Sequence, residues 1–178
     1  MPIYVGGVEI ADEQVFEEMQ YQEEADSVKH ACFLAAQSLV VRQLLLNTAF
    51  KQKIIADLAD KALADIEPEE EEQMISTLVD QSVCVPEAGE DVCKRYYENN
   101  QSKFTDKKLD KNLPFEQVAG HIKEYLSAQS LMNGISEYIQ VLAANTKIKG
   151  FDFKDPEAMM VDLEGMKKAG NLKIQLSG

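Results

Sequence analysis

Apolar and polar residues alternate briefly at the start of the chain, then recur at helical spacing for most of its length. Residues 3–10 read IYVGGVEI, with apolar positions on both sides of Gly6-Gly7. A glycine pair between two such runs predicts a tight hairpin turn with positive φ. From Asp12, the residues Val15, Phe16 and Met19 recur at the spacing of a short helix. Asp26 offers a cap for the next helix, which runs to about Phe50. Its apolar residues, among them Ala31, Cys32, Ala35, Leu39, Leu45 and Ala49, cover most of the circumference. The polar side is narrow, mainly Lys29, His30, Gln37 and Asn47. A helix apolar nearly all round is one wrapped by other elements. This segment is the expected central helix.

A further helix is expected around Ile54 to Leu63, with Ile54, Leu58 and Leu63 inward. Pro68 suits a first helical position, and Glu69 to Glu72 crowd the first turn, where the helix dipole favours negative charge. This helix start accounts for the acidic run better than a metal site does. Met74, Ile75, Leu78 and Val79 mark its buried face. Gly89 is a passable cap for a helix reaching Asn100, with Val92, Tyr96 and Tyr97 placed to pack. A polar, lysine-rich link follows from Thr105 to Leu113. Pro114 then opens a long helix whose inward stripe is Phe115, Val118, Ile122, Tyr125, Leu126, Gln129, Met132, Ile135, Ile139 and Leu142, mostly at steps of three and four. Asn133-Gly134 is the expected place for a bend. After Gly150 the character changes. Asp155-Pro156-Glu157 starts a short helix carrying Met159, Met160, Leu163 and Met166, and Gly170 stops it. Alternation at Leu172, Ile174 and Leu176 predicts a last strand. The fold class is mainly α: a helical bundle with a long C-terminal helix and small β elements at the termini.

The net charge of −13 argues against non-specific binding to nucleic acid or anionic membranes, which needs a basic footprint. It fits a solvated acidic surface. Three cysteines, Cys32, Cys84 and Cys93, lack both a disulfide framework and zinc-ligand spacing. The apolar-rich stretch from Cys32 to Leu46 is interrupted by Gln37, Ser38, Arg42 and Gln43, which argues against membrane insertion. The start of the chain has no basic run followed by a long apolar one. A cytoplasmic location with free thiols is expected. His30 and Cys32 face different directions on a helix and make no ligand pair. There is no Walker loop, dinucleotide fingerprint or nucleophile elbow, so no cofactor is expected and no carboxylate pair stands out as an acid/base couple.

Several stretches resemble the parvulin-type peptidyl-prolyl isomerases that carry a SurA-like helical chaperone module. VGGVEI is similar to their short "VNGVxI" element. SLVVRQLLLNTA resembles the arginine-containing central helix of the bacterial cytoplasmic members, including the maturation factor for nitrogenase iron protein. VCVPEAGEDVCKRYYENNQSKF resembles the segment "V-x-V-P … Y-Y-x-x-N … F" that precedes their isomerase domain. LPFEQVAGHIKEYLSAQS resembles the helix after that domain, and YIQVLAANTKIKG its end. Together these cover most of residues 3–150.

One departure alters what the resemblance implies. The interval from Thr105 to Leu113 is 113 − 105 + 1 = 9 residues, too short for a folded domain of roughly a hundred residues. The resemblance therefore implies a chaperone domain over 1–150 without the isomerase, followed by a tail over 151–178. The expected activity is non-catalytic binding of unfolded or immature client polypeptides. A dedicated maturation or adaptor role for one enzyme complex is the alternative, and peptidyl-prolyl isomerisation a more distant one. A homodimer through the long helix is an expected partner arrangement. Phe151, Phe153, Met159, Met160 and Met166 are the candidate client-binding residues: the two phenylalanines sit in a polar context, and the flexible, polarizable methionines suit varied partners. The competing reading is that these residues dock the tail onto the core.

Overall fold

The computed structural model describes residues 2–58, 61–106 and 111–155. In chain order its elements are β1 (Ile3–Val5), β2 (Val8–Ile10), α1 (Asp12–Met19), α2 (Val28–Lys51), α3 (Pro68–Ser82), α4 (Glu90–Asn99), β3 (Thr105–Asp106), β4 (Lys111–Asn112), α5 (Phe115–Asn145) and β5 (Ile148–Lys149). The fold is mainly helical with small β elements, as the periodicity predicts. The described residues fall into two compact units. The first takes those up to Leu78 and from Ile139 onward, and the second takes Val79–Tyr138.

In the first unit, β1 pairs antiparallel with β2, Ile3 opposite Ile10 and Val5 opposite Val8. The turn between them is made by Gly6 at φ 60° and Gly7 at φ 94°, values that glycine adopts without steric cost. The other edge of β1 pairs with β5, Val5 opposite Ile148, and Lys147 accepts a hydrogen bond from the Gly6 amide at 3.0 Å. The third strand of this sheet is therefore Ile148–Lys149. The expected strand at 172–176 lies outside the described residues. Ile3 and Val5 are fully buried while Tyr4, between them, is partly exposed, the period of two that one covered sheet face requires.

Helix α2 is central to this unit, with buried residues from Ala31 and Cys32 through Val40 to Leu44 and Ala49 distributed around its circumference. Its cap is Ser27 and not Asp26. Ser27 has extended backbone, and its Oγ accepts the His30 amide at 3.1 Å. The Asp26 carboxylate is used one step out, on the His30 ring at 2.9 Å. Asn47, on the narrow polar side, donates to the Val5 carbonyl at 3.0 Å and ties the helix to the sheet. The helix closes in a Schellman arrangement: the Lys53 amide bonds Phe50 and the Ile54 amide bonds Ala49. Lys53 takes the left-handed conformation, φ 50°, that usually falls to glycine.

That sharp stop corrects the expected helix at 54–63. The described residues form only short 3-10 turns at Ala56–Leu58 and Leu63–Asp65, with Leu58 buried and Leu63 half-buried. Helix α3 starts at Pro68 as predicted. Its acidic first turn is used structurally: Arg42 of α2 takes Glu71 at 2.7 Å and also Glu72, while Lys61 takes Glu70.

In the second unit, α4 and the first part of α5 pack around Cys93, Val118 and Ile122. Cys93 is buried and Val92 is 49% exposed, the reverse of the packing expected for Val92. Rings from Tyr96, Tyr97, Phe104 and Phe115 surround this small core, and the Tyr97 hydroxyl donates to the Leu113 carbonyl at 2.7 Å. The chain ends flanking residues 107–110 are joined: Thr105 pairs with Asn112 and Asp106 with Lys111. Helix α5 runs unbroken for 31 residues, about 46 Å at 1.5 Å per residue. The helix continues through Gly134. A Cβ there would lie 2.9 Å from Val83 Cγ1 and 3.0 Å from Val85 Cγ1, so this glycine lets residues 83–85 lie directly against the helix.

Candidate functional site

The second unit carries an apolar cleft of about 400 Å³ where the start of α4 faces the first turns of α5. Its shape follows from two short pairs of small residues, Ala88-Gly89 and Ala119-Gly120. Gly89 has extended backbone (φ −69°, ψ 161°) and caps α4, its carbonyl accepting the amides of Val92 and Cys93. Residues before it run beside α5, where the Ala88 amide donates to Ser127 Oγ at 3.5 Å. A Cβ at Gly120 would meet nothing within 4 Å. The missing side chain thus leaves open space. Cys93 closes the floor, its Sγ 3.9 Å from the Ala88 carbonyl, and the Phe115 ring forms a wall.

Charges sit at the rim. Lys123 pairs with Glu87 at 2.7 Å and Lys94 with Glu90 at 2.6 Å. The Lys94 ammonium also lies 5.8 Å from the centre of the Phe115 ring, a cation–π distance. The Lys123 hydrogen bond and charge hold the Glu87 carboxyl below its usual range, and Lys94 does the same to Glu90. The two lysines are correspondingly held above theirs, first by those hydrogen bonds. An apolar floor with a rim of both signs suits an apolar side chain whose flanking backbone stays polar and wet.

Beyond the cleft, α5 presents large apolar side chains to solvent. Tyr125 is 49%, Leu131 41% and Met132 69% exposed. Tyr125 also leans on Tyr96, ring centres 5.6 Å apart. In the first unit a second cleft, lined by Gln14, Glu17, Glu18, Gln20, Tyr21 and Leu39, is mostly polar and acidic. Its Glu18 is already engaged by Ser38 at 3.0 Å.

The residues singled out in the sequence fall elsewhere. Phe151 is buried, stacked on Phe33 at 5.4 Å, and Phe153 meets Phe151 edge-on at 5.0 Å. Both rings are built into the packing of the first unit. Met159, Met160 and Met166 lie outside the described residues. Ser27, His30 and Asp26 stand together at the start of α2, but the serine oxygen accepts the His30 backbone amide, the geometry of a helix cap. Among the described residues no group of three His, Cys, Asp or Glu side chains is placed to hold a metal. Burial, then the Asp12 charge, pushes the Cys32 thiol up to about 11, whereas Cys84 is exposed. Helix α2 is long and apolar enough to span a membrane by length and composition alone, despite its polar interruptions. In this fold Cys32, Phe33, Ala35, Val40 and Leu44 of this helix are buried in the first unit's core, and Leu34 and Leu39 are partly buried against it.

The cleft was not anticipated, although its signal is legible in retrospect as Ala-Gly at both 88–89 and 119–120 on segments that pack together. No family model, curated protein or solved structure matches this chain.

Proposed function

We propose that this protein is a cytoplasmic, non-catalytic chaperone that binds unfolded or immature polypeptides during folding or assembly. The observation that carries this reading is the α4–α5 cleft, whose floor is apolar, whose mouth is left open by Gly120 and whose rim is charged. It is sized for one or two apolar side chains of an extended segment. The sequence resemblance to SurA-like chaperone modules supports the same reading, since its motifs include the VPEAG and EQVAG segments that form the cleft. The −13 charge keeps a protein with exposed apolar surface dispersed.

The test is suppression of aggregation of chemically unfolded clients without ATP, with Gly120→Leu as the informative variant. A leucine there fills open space, and replacing glycine favours the helix by up to about 1 kcal/mol. The expected outcome is unchanged or raised stability with client binding reduced at least about tenfold. Full client protection by a stably folded Gly120→Leu protein would show that the cleft is not the site. A second reading, a maturation or adaptor factor for one enzyme complex, is favoured by the rim: paired charges of both signs at Glu87–Lys123 and Glu90–Lys94 read a defined partner better than arbitrary clients. It predicts one co-purifying protein from native cells and no effect on general clients. A proline-peptide assay is expected to show no acceleration.

A further inference from the structure

We infer that residues 83–87 present a free strand edge at Val85 and Glu87, and that a client segment pairs with it backbone to backbone while placing one apolar side chain in the α4–α5 cleft. This pairing rests on the proposed client-binding role of that cleft and specifies how a client is held there.

The segment between α3 and α4, residues 83–89, belongs to no helix or strand. It is extended all the same. Val85 precedes Pro86, and a proline ring keeps the residue before it out of the helical region. Burial alternates along the segment. Val83 and Val85 are half-buried, while Cys84 and Pro86 are exposed, the period of two of a strand with one covered face. The covered face is seated on α5, where both valines have a methyl group against Gly134.

In an extended chain, the backbone groups of successive residues point to opposite edges. Cys84, Pro86 and Ala88 share one edge. Pro86 has no N–H, and the Ala88 amide is taken by Ser127 of α5. Val83, Val85 and Glu87 share the other edge. The Val83 amide closes α3 by donating to Val79. Among the described residues, neither the N–H nor the C=O of Val85 or Glu87 has a hydrogen-bond partner. Two consecutive residues of one edge with both groups open are what an added strand fills. The proline falls on the opposite edge, where its missing donor does not interrupt the pairing.

The edge runs into the cavity, since Glu87, Ala88 and Gly89 end the segment and also line the cleft. A strand added beside Val85 and Glu87 lies about 4.8 Å away and carries its next residue to the cleft mouth. Main-chain bonds give affinity without reading sequence, and the cleft reads a single apolar side chain. The occupant is therefore an extended, unfolded segment with an isolated apolar residue. A formed helix has its backbone groups already paired and does not fit. Pro86 and the valine seat hold the edge in shape before a client arrives, which lowers the cost of ordering it.

The probe is a fluorescently labelled peptide of about ten residues, one leucine among serines and threonines, long enough to span edge and cleft at about 3.3 Å per residue. Amide exchange of the full chain is followed by NMR with and without saturating peptide. The Val85 and Glu87 amides are expected to slow at least about tenfold, and the Cys84 amide to stay unchanged. Glu87→Pro deletes a donor that makes no internal bond and is expected to weaken peptide binding about five- to tenfold. Glu87→Ala keeps that amide while losing the Lys123 ion pair, and is expected to bind within about twofold of the parent. The exchange measurement uses the parent chain, so it decides the matter even where Glu87→Pro fails to fold. Unchanged exchange at Val85 and Glu87, with a peptide whose binding Gly120→Leu abolishes, overturns the pairing and leaves the cleft reading standing. Equal weakening by Glu87→Pro and Glu87→Ala overturns it too, assigning the effect to the lost ion pair. So does protection of both amides before peptide is added, since this chain or a second copy would then already cover the edge. A peptide that the parent does not bind at all removes the cleft reading and the pairing with it.

Discussion

The two units spend their apolar residues differently. In the first, a central helix buries positions around its circumference, and Phe33, Phe151 and Phe153 stack in sequence against it. In the second, Cys93, Val118 and Ile122 are the only buried apolar side chains among the described residues, and a ring cluster does the rest of the packing. Meanwhile Val92, Tyr125, Leu131 and Met132 of the second unit face solvent. A dense core fixes one arrangement, whereas a thin one leaves local opening cheap. Under the proposed function, the first unit would serve as scaffold and the second as the binding part.

Core truncations test this most severely. Leu44→Ala, at a site 1% exposed, is expected to cost about 3–4 kcal/mol in denaturant unfolding. Ile122→Ala, 2% exposed, is expected to cost about 2–3 kcal/mol, because a thinner core collapses more readily around the gap. Equal losses, with hydrogen exchange no faster in the second unit, would erase the contrast.

Alkaline pH probes the first core at one atom. With the Cys32 thiol raised from 9.0 to about 11, the unfolded chain releases this proton before the folded one does. Stability is fully present below pH 9 and falls as pH rises through 9 to 11, by on the order of 2 kcal/mol. A Cys32→Ala protein should lack this slope, and alkylation at pH 8 should modify Cys84 long before Cys32. Early alkylation of Cys32 would mean that the first core opens as easily as the second.

Gly134→Ala gives the smallest expected effect. The new methyl group would collide with the stiff Val83 and Val85 side chains, costing about 1–3 kcal/mol. The better helix propensity of alanine returns up to about 1 kcal/mol. A net loss near 1 kcal/mol, confined to second-unit exchange, is expected. A net gain would return Gly134 to the role of hinge.

Regular periodicity made the hairpin, α1, α2, α3 and α5 legible to within a residue or two. What escaped was decided by single tertiary details. Ser27 displaced Asp26 as cap because its shorter side chain reaches the His30 amide while Asp26 finds the imidazole. Lys53 in a left-handed turn ended α2 without the glycine that signals such a stop. Gly134 carries one letter for two roles, and only the proximity of Val83 and Val85 distinguishes a seat from a hinge. Ile148 and Lys149 became a strand because β1 had a free edge, which no two-residue stretch announces. The cleft was hidden for the same reason: alanine and glycine mark absence, and absence acquires shape only once neighbours are placed.

The short polar link has an engineering consequence. Thr105 and Asn112 face each other across one strand pair, tied by a 2.8 Å side-chain hydrogen bond, and the Leu113 amide bonds the Phe104 carbonyl at 2.8 Å. The described chain ends on either side of residues 107–110 thus lie close together. Closing a longer loop there adds only about 0.6 kcal/mol for each doubling of its length. A guest domain with adjacent termini, such as a fluorescent reporter, fits between residues 106 and 111 without moving either anchor. The position is a socket, ready to carry a sensor beside the α4–α5 cleft.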